Sequence, residues 1–425
     1  MSFKKLIKKT HLWLGLATGI IVFIISITGC LFVFQKEISN IYYQDTLYIA
    51  PQSTKTIAVT KLKEIADKTL SAPSTSITIY KEKNRAWEFM VYKSGDEDAN
   101  TWFGTVKTYK SVFINPYTGA VTGNINYKYN FFIIVEMLHY CLLINRQIGE
   151  PIVAYSTLIF VFMLITGIIL WWPKNKAAAK QRFWFRWKDT TKFKRKNYDV
   201  HNILGFYTMF ITLILALTGM IFSIQWFQAT VYVIASQSIT PPEQIEKLSD
   251  TTLVSLKQPL DIALNSAKIK IPDANRYSLI LPKKRSDVIL ISGIRGEEAH
   301  YNSDKIQFDQ YSGKQLHRSN YENKNNGEKL ITMNYDIHTG IILGLPGKIL
   351  AFLASLVAAS LPITGFIIWW GRKKEKNICK IAYSCSIALS KPKKVLRSVV
   401  ENSWCFLKII CNIWLLIGRG SEQCL

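Results

Sequence analysis

Six histidines are spread through the 425 residues, and four of them stand in equivalent places. His11 and His201 each open an apolar stretch, in His11-Leu-Trp-Leu-Gly15 and His201-Asn-Ile-Leu-Gly205. His139 and His338 each precede one, in Leu138-His-Tyr140 and Ile337-His-Thr339. An ionisable side chain in an apolar segment is costly, faces the bundle interior and by default marks a functional position. Neutral imidazole is the commonest metal ligand, and helical bundles hold cofactors between facing helices. Two histidines from different helices at one depth form the axial set of a six-coordinate haem, whose iron changes redox state without an open position. His11 with His201, and His139 with His338, are therefore candidate metal ligands of two b-type haems, one near each membrane face. Two other readings stay open. One is a set of interfacial histidines with no cofactor. The other is a proton relay, which calls for buried carboxylates; the apolar stretches hold almost none, and Glu136 and Glu150 are peripheral.

Gly15 and Gly205 lie four residues after their histidines, hence on the same helical face. They are candidates for contact with a flat macrocycle, and equally for simple helix packing, since Gly15-xxx-Gly19 fits the small-residue contact pattern. His300 and His317 have no counterparts in the first half and read as solvated surface residues.

The elements that must position these residues are apolar and long. Residues 12–34, 152–172, 203–227 and 349–370 can each cross about 30 Å of hydrocarbon as a helix of about 20 residues. The first follows Lys4, Lys5, Lys8 and Lys9 in the manner of a secretory signal. Its apolar run is too long for a signal core and no small-residue cleavage site follows, so it reads as a retained anchor. A continuous helix from His139 to Trp172 would be about 50 Å long, so breaks are expected at Gly149-Glu-Pro151 and at Leu345-Pro-Gly347. The stretch 404–417 is apolar but short and holds Lys408, more in keeping with an interfacial helix than a fifth span.

Charge settles the orientation. The chain carries 53 Lys+Arg against 29 Asp+Glu, a formal net charge of +24. Ten of those cations fall in residues 174–200 with only Asp189 and Asp199 against them, and Arg372, Lys373, Lys374 and Lys376 follow the fourth span. Positive loops stay inside, which makes both termini and the middle loop cytoplasmic and puts Trp171-Trp172 and Trp369-Trp370 at the inner interface. The same placement excludes a nucleic-acid surface. The segments 36–129 and 236–334 must then lie outside, and runs such as Ser76-Ile-Thr-Ile-Tyr80 and Asp287-Val-Ile-Leu-Ile-Ser292 read as strands. None of the seven cysteines falls in them, so no disulfide framework supports them. Their aromatic residues (Tyr80, Trp87, Phe89, Tyr92, Trp102, Phe103) suit core packing better than ligand stacking.

Self-comparison ties these features together. Thr28-Gly29, Phe32 and Gln35 follow His11 as Thr218-Gly219, Phe222 and Gln225 follow His201. Thr166-Gly-Ile-Ile-Leu-Trp-Trp172 matches Thr364-Gly-Phe-Ile-Ile-Trp-Trp370, and Asn115-Pro-Tyr-Thr-Gly119 matches Asp309-Gln-Tyr-Ser-Gly313. The chain reads as two copies of helix, outer domain, helix, in the same orientation.

This ordered set of motifs resembles the PepSY-associated transmembrane family, which includes iron-regulated inner-membrane proteins and ferric-siderophore reductases. The likeness runs from about Lys4 to Lys374. It implies an α+β membrane protein: a four-transmembrane-helix bundle built from a tandem repeat, with two extracytoplasmic PepSY-like domains. The expected division is 1–35 for the cytoplasmic start and first span, 36–130 for the first periplasmic domain, and 131–173 for an outer helix and the second span. A basic cytoplasmic loop, 174–200, precedes the third span at 201–235, the second periplasmic domain at 236–334, an outer segment and the fourth span at 335–371, and a basic cytoplasmic tail at 372–425. The resemblance further implies a bacterial inner-membrane di-haem oxidoreductase that reduces an external ferric chelate in iron uptake, with His11, His139, His201 and His338 on the haems. Some relatives carry a flavin- and nicotinamide-binding domain after the fourth span. Here about 50 residues follow Lys376 with no GxGxxG turn, so a separate donor is expected, a cytoplasmic flavoprotein or membrane quinol. The alternative is a non-enzymatic membrane anchor whose PepSY folds bind or inhibit a periplasmic peptidase. Iron as the substrate metal rests on the resemblance alone, and copper stays open.

Overall fold

A computed structural model describes residues 2–389 apart from 244 and 255–257, with side chains described to residue 373. The stretch 404–417 and the side chains of five cysteines lie outside the described residues; Cys30 and Cys141 are buried and free. The first half runs α1 (Phe3–Phe32), α2 (Gln35–Tyr42), α3 (Gln44–Leu47), α4 (Val59–Leu70), β1 (Ser76–Tyr80), β2 (Trp87–Ser94), α5 (Trp102–Thr105), β3 (Val106–Ile114), β4 (Val121–Asn126), α6 (Phe131–Cys141) and α7 (Arg146–Trp171). Two short helices, α8 (Lys176–Arg182) and α9 (Phe193–Asp199), and a π-helical turn at Val200–Leu204 lead into the second. It continues as α10 (Gly205–Ser223), α11 (Gln225–Ser236), α12 (Pro259–Lys270), β5 (Arg276–Ile280), β6 (Ile289–Ile294), β7 (Ser303–Phe308), β8 (Gln315–Ser319), α13 (Asn326–His338) and α14 (Gly344–Leu389).

Among the described residues four helical stretches are long and apolar enough to cross a membrane: Phe3–Phe32, Arg146–Trp171, Phe193–Ser223 and Ile341–Lys373. A helix satisfies its own backbone, the condition for crossing lipid. The apolar pattern is turned outward as well as inward. Ile20, Phe162 and Phe210 are exposed, while Val22, Leu164, Ala216, Met220 and Ala358 form the bundle core. Helices α1 and α10 each pack against both α7 and α14, so they occupy opposite corners of the bundle. Of the tryptophan pairs, Trp172 and Trp370 are exposed as interface anchors should be. Trp171 is not: it is buried, stacked 3.8 Å from Phe206 at 6°.

Both helix breaks fall earlier than the sequence suggests. Chain direction changes just after α6, where Leu142 and Leu143 take φ of 57° and 59°. Asn145 then caps α7, its Oδ1 accepting from the Gln147 N–H at 2.9 Å while its Nδ2 donates to the carbonyls of Glu97 and Ala99. Gly149 and Pro151 lie inside α7. A satisfied cap fixes where a helix begins more firmly than a nearby proline fixes where it stops. In the second half, Gly340 and Gly344 have φ of 80° and 63°, and Leu345-Pro-Gly347 forms the first turn of α14, where proline is tolerated.

The two outer segments share one sheet. Eight antiparallel strands run in the order β4-β3-β2-β1-β5-β6-β7-β8. At its centre β1 pairs with β5, Ser76 opposite Ile280, Thr78 opposite Ser278 and Tyr80 opposite Arg276. Alternation decides which face is covered: Ile77, Ile79, Phe89, Leu279 and Ile291 point into a core closed by Leu62 and Ala66 of α4 and by Ala263 and Ala267 of α12. Asp261 of α12 accepts the N-terminal N–H groups of Val59 and Thr60 on α4 at 2.7 and 3.2 Å. Trp87 and Phe89 are core residues, and Trp102 packs on Val106 and Cys141. The matched turns are built alike, since Asn115 and Asp309 each accept the N–H two residues on, ahead of glycines with φ of 75° and 67°.

Candidate functional site

Each of the four matched histidines rests on a Thr-Gly pair of another helix. Nδ1 of His11 lies 2.9 Å from Thr166 Oγ1 on α7, and Nδ1 of His201 lies 2.8 Å from Thr364 Oγ1 on α14. Nδ1 of His139 lies 3.2 Å from Thr28 Oγ1 on α1, and Nδ1 of His338 lies 2.9 Å from Thr218 Oγ1 on α10. The glycine that follows each threonine makes room for the ring. A methyl group at Gly29 would stand 3.2 Å from His139 Cε1. At Gly219, Gly365 and Gly167 it would meet the Cε1 of His338, His201 and His11 at 3.4, 3.4 and 3.6 Å.

The threonines also fix the tautomer. A hydroxyl has one proton to donate, and Thr28, Thr166, Thr218 and Thr364 each give theirs to the carbonyl four residues back, at 2.7 to 2.9 Å. Toward imidazole the oxygen can then only accept, so Nδ1 carries the ring proton. For His139 the Ile25 carbonyl, 2.7 Å from the same nitrogen, requires the same assignment. The lone pair is left on Nε2, free to bind a metal. A second partner that orients the ring and sets its tautomer is the usual support of a histidine ligand.

The rings of His139 and His338 face one another, centroids 6.1 Å apart and planes at 61°. Two metal–imidazole bonds of about 2.0 Å with the half-rings behind them would span about 6 Å, a spacing that the two centroids match. Both rings are half-buried. Burial pushes His338 down to about 4, with His139 adding to the effect, and burial lowers His139 too; both stay neutral, as ligation requires. His11 and His201 approach from opposite corners of the bundle and are near enough to interact electrostatically. His201 sits in the π-helical turn, a distortion frequent at functional positions. Thr28 stands seventeen residues after His11 on α1, as Thr218 does after His201, which sets the two levels about 25 Å apart along a helix axis.

Gly15 and Gly205 face neighbouring helices. A methyl at Gly15 would strike Met163 Cε at 2.7 Å, and at Gly205 it would meet Leu361 Cδ2 at 3.4 Å. The contact they make is helix on helix, which brings α1 against α7 and α10 against α14 at the level of the inner histidines.

His300 is tied down at its backbone as well as its ring. Its Nδ1 lies 3.2 Å from Asp336 Oδ1, its ring packs edge-on to Tyr335, and Asp336 also accepts the N–H groups of His300 and Tyr301. Burial would raise the Asp336 carboxyl, but these donors outweigh it and hold the group below the usual range. His317 lies on β8. Glu136 is drawn in toward Tyr335, and burial pushes its carboxyl up. The residues that sequence reasoning missed are the four threonines. Thr-Gly appears there as a mark of repetition, and four such pairs beside four histidines was the available signal.

No curated protein matches this chain. The model of the PepSY-associated TM region matches residues 8–372, from just before His11 to the end of the fourth span. With most of its length inside that match, the chain belongs to the PepSY-associated TM region family.

Proposed function

We propose that this chain is a two-haem oxidoreductase of a bacterial inner membrane, built from two copies of one unit and carrying electrons to an external ferric chelate. The observation that carries the reading is the outer pair, His139 and His338, with facing rings 6.1 Å apart and both Nδ1 atoms already engaged. Among the described residues no three His, Cys, Asp or Glu side chains gather around a metal site. A pair of histidines without further protein ligands is the donor set that a haem iron would need. His139 and His338 would hold one haem, His11 and His201 the other, with Gly15 and Gly205 keeping the inner helices close. Bound haem supplies reversible one-electron chemistry.

The protein's own residues position and insulate. Each threonine engages Nδ1 of its histidine, the glycines make room for the rings, and the apolar core excludes water. The clustered Lys and Arg support a cytoplasmic basic loop and a periplasmic sheet. A cytoplasmic flavoprotein or a membrane quinol is the donor this reading calls for. One electron converts Fe(III) to Fe(II), and hard-oxygen chelators hold the softer, less charged ion more weakly. A ferric siderophore is the acceptor the family suggests.

The test is a visible spectrum of the purified protein, oxidised and then reduced with dithionite. Split α bands and two haems per chain are expected. His11→Ala or His201→Ala should lose one haem and keep the other. A colourless protein ends this reading and leaves the PepSY anchor of a periplasmic peptidase in its place.

A further inference from the structure

The basic end of the bundle holds a cavity that the histidines do not use. Its volume is about 540 Å³, and Lys180, Trp184, Arg186, Thr191, Arg195 and Asp199 line it. A recess of about 150 Å³ sharing Arg195 and Asp199 continues to Asn202 and Ile203, the residues next to His201. The walls are firmly held. Arg182 donates to the carbonyls of Leu170 and Trp171 at the end of α7, Phe183 packs edge-on to both Trp171 and Phe206, and Tyr207 donates to the Phe183 carbonyl at 2.9 Å.

The charges inside do not balance. Asp199 faces three cations and is already engaged, accepting from Arg195 Nε at 2.9 Å and Trp187 Nε1 at 3.2 Å. Among the described residues Lys180 and Arg186 have no ion-pair partner. Concentrated unpaired cations attract an anion, and the surroundings say which kind. Trp184, Trp172 and Phe193 are 69%, 65% and 69% exposed beside the ends of two spans. Exposed aromatics at that level are the mark of the headgroup region. A soluble anion has no use for them; a phosphodiester with an apolar body uses both features.

We propose that this cavity binds the phosphate of an anionic membrane lipid. Arg186 supplies a planar fork to two phosphate oxygens and Lys180 a point charge, while Trp184 borders the lipid's less polar part. The lipid then ties α8 to the segment 183–192 that leads into α9 and the turn carrying His201. The site stands independently of the haem reading.

The full-length protein in detergent is titrated with phosphatidylglycerol and with phosphatidylcholine, and bound lipid is counted by native mass spectrometry. Phosphatidylglycerol should be retained in preference. Lys180→Gln with Arg186→Gln should weaken it about tenfold or more, at unchanged melting temperature. Lys174→Gln with Lys188→Gln, in the same loop but outside the cavity, should leave it unchanged. Equal losses in both double variants would mean diffuse attraction and overturn the site, as would full retention in the first. Displacement of the lipid by inorganic phosphate alone would overturn the lipid as ligand and make the occupant a soluble phosphate.

Discussion

The two halves of the chain seat their histidines alike and brace them differently. In both, Nδ1 meets a threonine whose own proton is committed to its helix, and a glycine clears the ring. Around that shared seat the second half is polar. Asn197 and Asn334, each four residues before a histidine, donate to the carbonyls of Thr364 and Thr218 at 3.0 Å, and Asp336 gathers three donors from the loop at His300. At the matched positions the first half has Ile7, Val135 and Met137, all packed in apolar contacts or buried. What recurs in both halves is what the proposed ligand role of the ring calls for. What differs is how each half holds the helix that carries the ring, and apolar or polar packing serves equally.

The strongest test of that distinction removes the polar brace. Asp336 is fully buried, and Asp336→Ala strands the N–H groups of His300 and Tyr301, a cost of about 3 kcal/mol. It should show as a lower unfolding midpoint in detergent, with the haem spectrum of the surviving folded fraction unaltered. The effect has a pH signature. The native Asp336 carboxyl lies below its unfolded value, so its contribution is complete above about pH 4 and fades as pH falls through the lower native value. The gap between wild type and Asp336→Asn should therefore close in acid. A gap that widens there would mean that the carboxylate is not what the donors recognise.

The second test strikes the shared seat. Thr218→Val and Thr28→Val each remove the acceptor for Nδ1–H, and loss of such a partner lowers metal affinity about tenfold or more. The Ile25 carbonyl, 2.7 Å from Nδ1 of His139, and the Leu215 carbonyl beside His338 remain as acceptors. Both changes should therefore speed haem loss to apomyoglobin and shift the midpoint potential, each by less than His139→Ala or His338→Ala. Equal behaviour of Thr28→Val and wild type would show that the carbonyl alone suffices in the first half.

Much of this was legible in the sequence, and the remainder was illegible for physical reasons. Apolar length announces four spans, and the spacing of the histidines announces two levels. The bond from His139 to Thr28 joins residues 111 apart, and no local pattern encodes a contact at that separation. The break after α6 was misplaced because Leu142 and Leu143, two ordinary leucines at positive φ, carry no turn signature, whereas Gly149 and Pro151 advertise one they do not make. Two outer segments look like two domains because nothing in Ser76-Ile-Thr-Ile-Tyr80 declares that its free edge pairs with β5.

The smallest expected effect makes the second half resemble the first. Asn334→Val puts at the brace of His338 the residue type that Val135 supplies to His139. The change removes one hydrogen bond, Nδ2 to the Thr218 carbonyl, worth about 1 kcal/mol. It also removes Asn334 Oδ1, a buried acceptor with no partner of its own, whose desolvation carries a cost of similar size. The two nearly cancel, so the unfolding midpoint should stay within about 0.5 kcal/mol of wild type and the haem content should not move. A loss comparable to that of Thr218→Val would place Asn334 within the histidine's seat rather than around it, and the two halves would then differ in their chemistry as well as in their packing.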